Sequence, residues 1–225
     1  MKLSNDTLSI LKNFASINTA IEFKEGNVLS TISPGKTVLA KATLKDSFPE
    51  TFCVYDLNQF LSSYSLFNDP NVELSFDDSN IIFKSGDAEG RIRKTAKEMI
   101  IAPPEKELTL PSVDVEFKLT QEVLTNIMKA ASVYQSPNIA AESKNDKIYL
   151  TCFNAKDDSA HTYSVEISEG NGKNFKMVFL TENLKMISGS YDVEISSRGL
   201  ASFKNTIQEV DYWVATEAKE SNYEE

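Results

Sequence analysis

One amphipathic segment occurs twice in this chain of 225 residues, and its recurrence constrains the fold more than any other feature. Lys118 to Gln135 reads KLTQEVLTNIMKAASVYQ, and a run starting at Leu3 tracks it at a fixed offset of 116 residues. Leu8 answers Leu124, Ser9 answers Thr125, Leu11 answers Ile127, and Ala15-Ser16-Ile17 answer Ala131-Ser132-Val133. The start signals agree as well. Ser4 and Thr120 stand at helix N-caps, and Leu3/Leu8 and Leu119/Leu124 fill the two positions of a hydrophobic staple. Asp6 and Glu122 each put a carboxylate in the first turn, where the helix dipole favours it. A repeat this long exceeds a solenoid unit and suits a duplicated domain.

The rest of each half follows a common plan. Strands are expected at Ala20–Phe23, Val28–Ile32, Val38–Leu44 and Thr51–Tyr55, separated by turn chemistry such as Ser33-Pro34-Gly35-Lys36. Asp56 caps a helix, LNQFLSSYSLF, which ends before Asn68-Asp69-Pro70. Val72–Phe76 and Ile81–Phe83 make a hairpin, and Gly90–Thr95 and Met99–Ile101 complete the half as strands. The segment APPEKELTLP has three prolines and no periodicity, so it reads as an extended connector. The predicted boundaries are therefore 1–102, a connector at 103–111, and 112–225.

In the second half, strands are expected at Val115–Leu119, Ile139–Glu142, Ile148–Phe153, Thr162–Ile167 and Phe175–Phe179. Asn171-Gly172 predicts a hairpin joining the last two. Thr181 is expected to cap a short helix, ENLKMIS, followed by strands Tyr191–Ile195, Leu200–Phe203 and Val210–Ala215. The acidic tail from Thr216 reads as disordered or loosely attached. Strands do not alternate with helices, so the fold class is α+β, two tandem copies of one unit, and not a doubly wound sheet.

Little here could do chemistry. His161 is the only histidine, which rules out two-histidine metal motifs, and no G-x-S-x-G accompanies it. Gly35-Lys36-Thr37 lacks the earlier glycine of a phosphate loop and precedes a strand, so it reads as a turn. Asp77-Asp78 and Asp157-Asp158 fall between strands without EF-hand spacing. Cys53 and Cys152 sit in apolar strand-like runs, as buried thiols do. No enzyme activity, cofactor or metal is expected, and no run approaches the roughly 18 apolar residues that would span a membrane.

A net charge of −10, from 23 basic and 33 acidic residues, argues against holding nucleic acid by bulk attraction. Distribution matters more than the total. On the first helix, Asn5, Ser9, Lys12 and Ser16 oppose the apolar side, and on its copy Thr125, Lys129 and Ser132 do the same. After Asp6 and Glu122 neither helix carries an acid. Any one lysine reads as a solvated helix face; recurrence on both copies points to a shared role.

The opening MKLSNDTLSILKNFASINTAI, the segments VYDLNQFL and ENLKMISGSYDVEI, and the ending VDYWVATEA resemble the sliding clamps of T4-type bacteriophages in the same order along nearly the whole chain. The resemblance implies two clamp domains per chain, helices on the inner face of curved antiparallel sheets, and three chains closed into a ring. Such a ring encircles duplex DNA without reading sequence, tethers DNA polymerase, is loaded by an ATP-driven clamp loader, and recruits late-transcription factors. It works in the cytoplasm of the infected bacterial host. The rival reading is an acidic two-domain adaptor that never encircles DNA.

By position, the resemblance makes Lys2, Lys12, Lys118, Lys129 and Lys185 the DNA-facing residues. A weakly positive wall suits sliding, because tight phosphate contacts would hold the ring in place. The helix after Asp56 has no basic residue, so its part of the wall falls to Ser62, Ser63 or the flanking loops. The resemblance places a partner-peptide pocket at Val38, Leu108, Leu110, Val214 and Ala215. It places the subunit interface at Met99, Ile100 and Ile101 against Thr162, Ser164 and Glu166 of a neighbour.

Overall fold

The computed structural model describes residues 1–67, 72–170 and 172–224, in two compact units, Met1–Glu105 and Lys106–Glu225. Unit 1 opens with α1 (Asn5–Ile17), then β1 (Ile21–Phe23), β2 (Gly26–Ile32), β3 (Val38–Phe48) and β4 (Phe52–Val54). Helix α2 (Leu57–Ser65) precedes β5 (Glu73–Phe76), β6 (Asn80–Ser85) and β7 (Ala88–Arg93). The first four strands lie in the order β4-β1-β2-β3, and the last three in the order β5-β6-β7.

Side-chain chemistry starts both helices where the sequence places them. Ser4 Oγ accepts the Thr7 N–H at 3.2 Å, and Asp56 accepts from Asn58 and Gln59. Each cap meets a backbone donor that the first turn leaves unpaired. Ser4 does more than cap, because its hydroxyl and its N–H both reach Asp46 Oδ2 on β3, at 2.8 and 2.7 Å. Apolar residues Ile10, Leu11, Phe14 and Ala15 then turn inward. The core is aromatic. The Phe23 ring lies 4.7 Å from both Phe48 and Phe52, and 5.8 Å from Phe60 of α2, which in turn meets Phe83 of β6.

Unit 2 repeats this plan: β8 (Val115–Leu119), α3 (Gln121–Tyr134), β9 (Asn138–Lys144), β10 (Lys147–Phe153), β11 (Tyr163–Glu169) and β12 (Phe175–Leu180). After a 3-10 turn come β13 (Tyr191–Ser196), β14 (Leu200–Asn205), β15 (Val210–Ala215) and β16 (Asn222–Tyr223). One set of strands has the order β15-β14-β13-β8 and the other β11-β10-β9-β12-β16, and every pairing described is antiparallel. Thr120 Oγ1 accepts the Val123 N–H at 3.2 Å, and α3 stops at Gln135 in the left-handed region (φ 52°). Cys53 and Cys152 are both free and buried.

Four expectations need correction. Met99–Ile101 is not a strand: Lys97–Met99 is a 3-10 turn, because Lys97 reaches back to the buried Glu22 carboxylate on β1 at 2.8 Å. Thr181 caps no α-helix. Its hydroxyl and N–H are committed to the Ser136 and Pro137 carbonyls, and the segment makes only a 3-10 turn, Thr181–Leu184. The helix cannot continue beyond it, since the Ile187 N–H donates to the Tyr212 hydroxyl and the Ile187 carbonyl accepts from the Tyr191 hydroxyl.

The third concerns β11 and β12, which do not form a hairpin. They are separated by β10 and β9, while their connection packs on the Asn145-Asp146 turn. The Asp146 carbonyl accepts from Gly170 and its Oδ1 from Gly172; a Cβ at Gly170 would lie 2.6 Å from the Asp146 backbone. Asn171, and the Asn68-Asp69-Pro70 stop signal, lie outside the described residues. Finally, the tail is ordered, since Asn222–Tyr223 pairs with β12 as strand β16.

Candidate nucleic-acid interface

Helix α1 buries Thr7, Ile10, Leu11, Phe14 and Ala15, which leaves Asn5, Ser9, Lys12 and Ser16 exposed. Helix α3 buries Leu124, Ile127 and Ala131 and exposes Thr125, Lys129 and Ser132. The duplicated helices thus present duplicated faces: hydroxyl and amide groups around one lysine, with no carboxylate past the first turn. At the start of α1, the Asp6 charge is met by an ion pair with Lys45 of β3.

The remaining predicted lysines are exposed but stand in other settings. Lys118 is on β8, opposite Asp192 of β13 in the strand register, so a carboxylate faces the same side beside it. Lys185 directly follows the 3-10 turn of unit 2, and Lys2 precedes α1. The exposed positions of α2 are Asn58, Gln59, Ser62 and Ser65, all uncharged, so this helix adds polarity and no field. Helices α1 and α3 each carry one basic residue, Lys12 and Lys129.

Among the other candidates, Val38 (5% exposed) and Val214 (0%) are buried and offer no surface to a peptide, whereas Leu108, Leu110 and Ala215 are half-buried. The start of unit 2 is tied down by Asp114, whose Oδ2 accepts from Ser112 Oγ and from the Ser197 N–H, each at 2.7 Å. The Ser197 backbone donor, above all, holds its carboxyl below the usual range. The aspartate pairs are turns, as expected. Asp77 accepts from Ser79 and Asn80, and Asp157 from Ser159. His161 sits just before β11, with its ring 5.6 Å from Tyr134.

Sequence reasoning missed one surface. Strand β7 ends its sheet, pairing only with β6 among the described residues, and it exposes Arg91 and Arg93. A pocket of about 450 Å³ opens beside it, lined by Ser63, Leu66, Phe67, Ser85, Gly90 and Arg91. Strand β11 ends the second sheet of unit 2 and carries Ser164 and Glu166; Ser164 meets Thr151, and Glu166 meets Lys147 and Tyr149. The alternation in AEGRIR, with Ile92 between two arginines, was the available signal for β7.

The two-unit antiparallel fold is shared with solved structures of PCNA and of bacterial DNA polymerase β subunits. Solved clamps superpose on the chain with little sequence in common. PCNA from Thermococcus kodakaraensis does so at a TM-score of 0.66 and 15% identity, over 94% of this chain and 96% of its own. The β subunit of DNA polymerase from Streptococcus pyogenes gives 0.65 and 13%, over 96% and 67%.

The sequence places the chain more narrowly. Residues 4–100 match the family described as DNA polymerase processivity factor, and residues 116–218 the family described as gp45 sliding clamp, C terminal. The sliding clamps of Enterobacteria phage T4 and Escherichia phage RB69 are 33% and 34% identical, each over 97% of this chain and 97% of theirs; that of Vibrio phage KVP40 is 31% identical over 97% and 100%. The chain belongs to the phage sliding-clamp family. Its function is that of a processivity clamp in phage DNA replication, in a family whose members are not enzymes. The family assignment favours this function over the adaptor reading.

Proposed function

We propose that three copies of this chain close into a ring around duplex DNA, with the α1 and α3 faces turned to the phosphates. The observation that carries the reading is the duplicated, acid-free helix face centred on Lys12 and Lys129 in a chain of net charge −10. Lys2, Lys118 and Lys185 extend the wall to five lysines per chain, or about 15 per ring, a diffuse field that holds DNA by enclosure more than by contact. The acidic remainder keeps DNA from the outer surface.

Ring closure joins β7 of one copy to β11 of the next, which shifts the expected contact from Met99, Ile100 and Ile101 to the strand before them. Thr162, Ser164 and Glu166 stay on the other side of it. Both strands are sheet ends whose backbone groups pairing would satisfy, and an isologous contact cannot form between two different edges, so the joint is head-to-tail, the kind of contact from which a closed ring is built. Arg91, ion-paired with Glu89, and Arg93 leave β7 net positive, while Glu166 and Glu169 make β11 net negative beside Lys147.

An ATP-driven loader opens the ring, and polymerase and late-transcription factors are tethered to it, in the cytoplasm of the infected host. Peptides of these partners dock on unit 2 at Leu108, Leu110 and Ala215, with Val214 as buried support. A relative of the same fold, PCNA from A. fulgidus, has been solved with the C-terminal region of FEN-1 bound. The test is DNA synthesis on a primed circle with cognate polymerase, loader and ATP. Product length should rise steeply when the chain is added, and unchanged length would overturn the reading.

A further inference from the structure

The segment that follows β15 lies along an edge it closes. Glu217 gives its N–H to the Val178 carbonyl at 2.8 Å, a turn follows over Ala218–Glu220, and Ser221 Oγ accepts the Val178 N–H at 2.9 Å. Asn222 then stands opposite Lys176 and Tyr223 opposite Phe175. Glu224 donates its N–H to the Asn174 carbonyl at 2.9 Å, and Asn174 Nδ2 donates to Glu224 Oε2 at 2.9 Å. Residues 174 to 178 on the outer side of β12 therefore find their partners within the chain.

This cover differs from the other strands of unit 2. Its ladder is two residues long against six for β12, and at Val178 a side-chain oxygen replaces a backbone carbonyl. None of residues 216–224 is buried; Ala218, Lys219, Glu220, Asn222 and Glu224 are exposed. With so little apolar burial, its opening costs a small part of the stability of the unit beneath it. The edge it hides belongs to a rigid strand whose Phe175, Met177 and Phe179 are fixed in the core.

We infer that the β12 edge is a strand-addition site for an extended, acidic peptide segment of a partner protein, and that residues 216–224 are its resident competitor. The chemistry of the occupant follows from what sits there now. The cover carries Glu217, Glu220 and Glu224 against one Lys219, and it lies along a strand bearing Lys176 with Lys173 just before it. Main-chain pairing supplies affinity in such sites, and the side chains beside it select the partner. A tethered competitor acts at an effective concentration in the millimolar range, so it weakens a free peptide's apparent affinity by the fraction of time the edge is covered. The site lies within unit 2 and does not depend on ring closure.

The test uses the full chain and a fluorescein-labelled peptide with the sequence of residues 216–224. Asn222→Pro removes the ladder donor from the cover and leaves β12 intact. The variant should bind the peptide at least about tenfold more tightly than the unaltered chain. A chain ending at Ala215 should bind as tightly as the proline variant. A peptide with Glu217, Glu220 and Glu224 changed to lysine should bind at least about tenfold more weakly to both. Equal binding to covered and uncovered chains overturns the gating, and equal binding of the lysine peptide overturns the acidic class. Absence of peptide binding by a folded variant overturns the site. Loss of the unit 2 circular dichroism signal in both variants also overturns it, because the segment would then be a structural strand. Native mass of the same samples reports ring closure separately.

Discussion

Ser4 and Thr120 begin equivalent helices, but they do unequal work. Thr120 caps α3 alone, whereas Ser4 caps α1 and also joins it to β3 through Asp46. Thr120→Ala should cost about 1 kcal/mol, and Ser4→Ala up to about 2 kcal/mol, since its loss also strips a buried-side partner from Asp46. Urea unfolding followed separately in each half would measure the difference, and equal costs would count against the Asp46 link. A second prediction rests on burial. It pushes the Tyr191 hydroxyl up to about 12 and Tyr212 the same way. The unfolded chain releases these protons near pH 10 and the folded chain retains them, so the native state binds more protons above that point. Stability should be intact below about pH 10 and fall as the pH rises through about 12. Tyrosinate absorbance should show two of the eight tyrosines ionising only as the chain unfolds.

The elements that sequence made legible are those whose causes are local. Periodicity, N-caps and staples located α1 and α3, and Asp56 located the start of α2, because each signal acts within a turn or two of its own helix. The lost elements were decided at a distance. Thr181 looks like a cap until Ser136 and Pro137 claim it, and Asn171-Gly172 looks like a hairpin until two other strands stand between β11 and β12. The candidate wall was readable from the α1 and α3 patterns for the same local reason. The β7 edge was not, since being an edge is a property of the sheet and of no single residue. Its role is open to measurement. Arg91→Glu with Arg93→Glu should move the native mass at micromolar concentration from three chains to one, with the circular dichroism unchanged. A mass that stays at three chains would remove β7 from the joint.

For the whole molecule, charge placement matters more than charge sum. Lys12→Glu with Lys129→Glu should shorten processive products while leaving the ring mass and fold intact, because both side chains are exposed on faces that bury nothing. Unfolding would show instead that these faces support the core. The effect should diminish as salt rises, since a diffuse field is screened beyond about 8 Å at physiological ionic strength. The two-residue strand over β12 has a further consequence, in time. Tyr223 is 48 residues downstream of Phe175, its partner in the ladder. At the usual pace of roughly 5–20 residues per second, the ribosome takes about 2–10 s to make that stretch. Until that stretch is made, the outer edge of β12 lacks the ladder partner that residues 222–223 supply. Lys173 and Lys176 are placed where charge deters such an edge from pairing with a neighbouring chain on the same polysome.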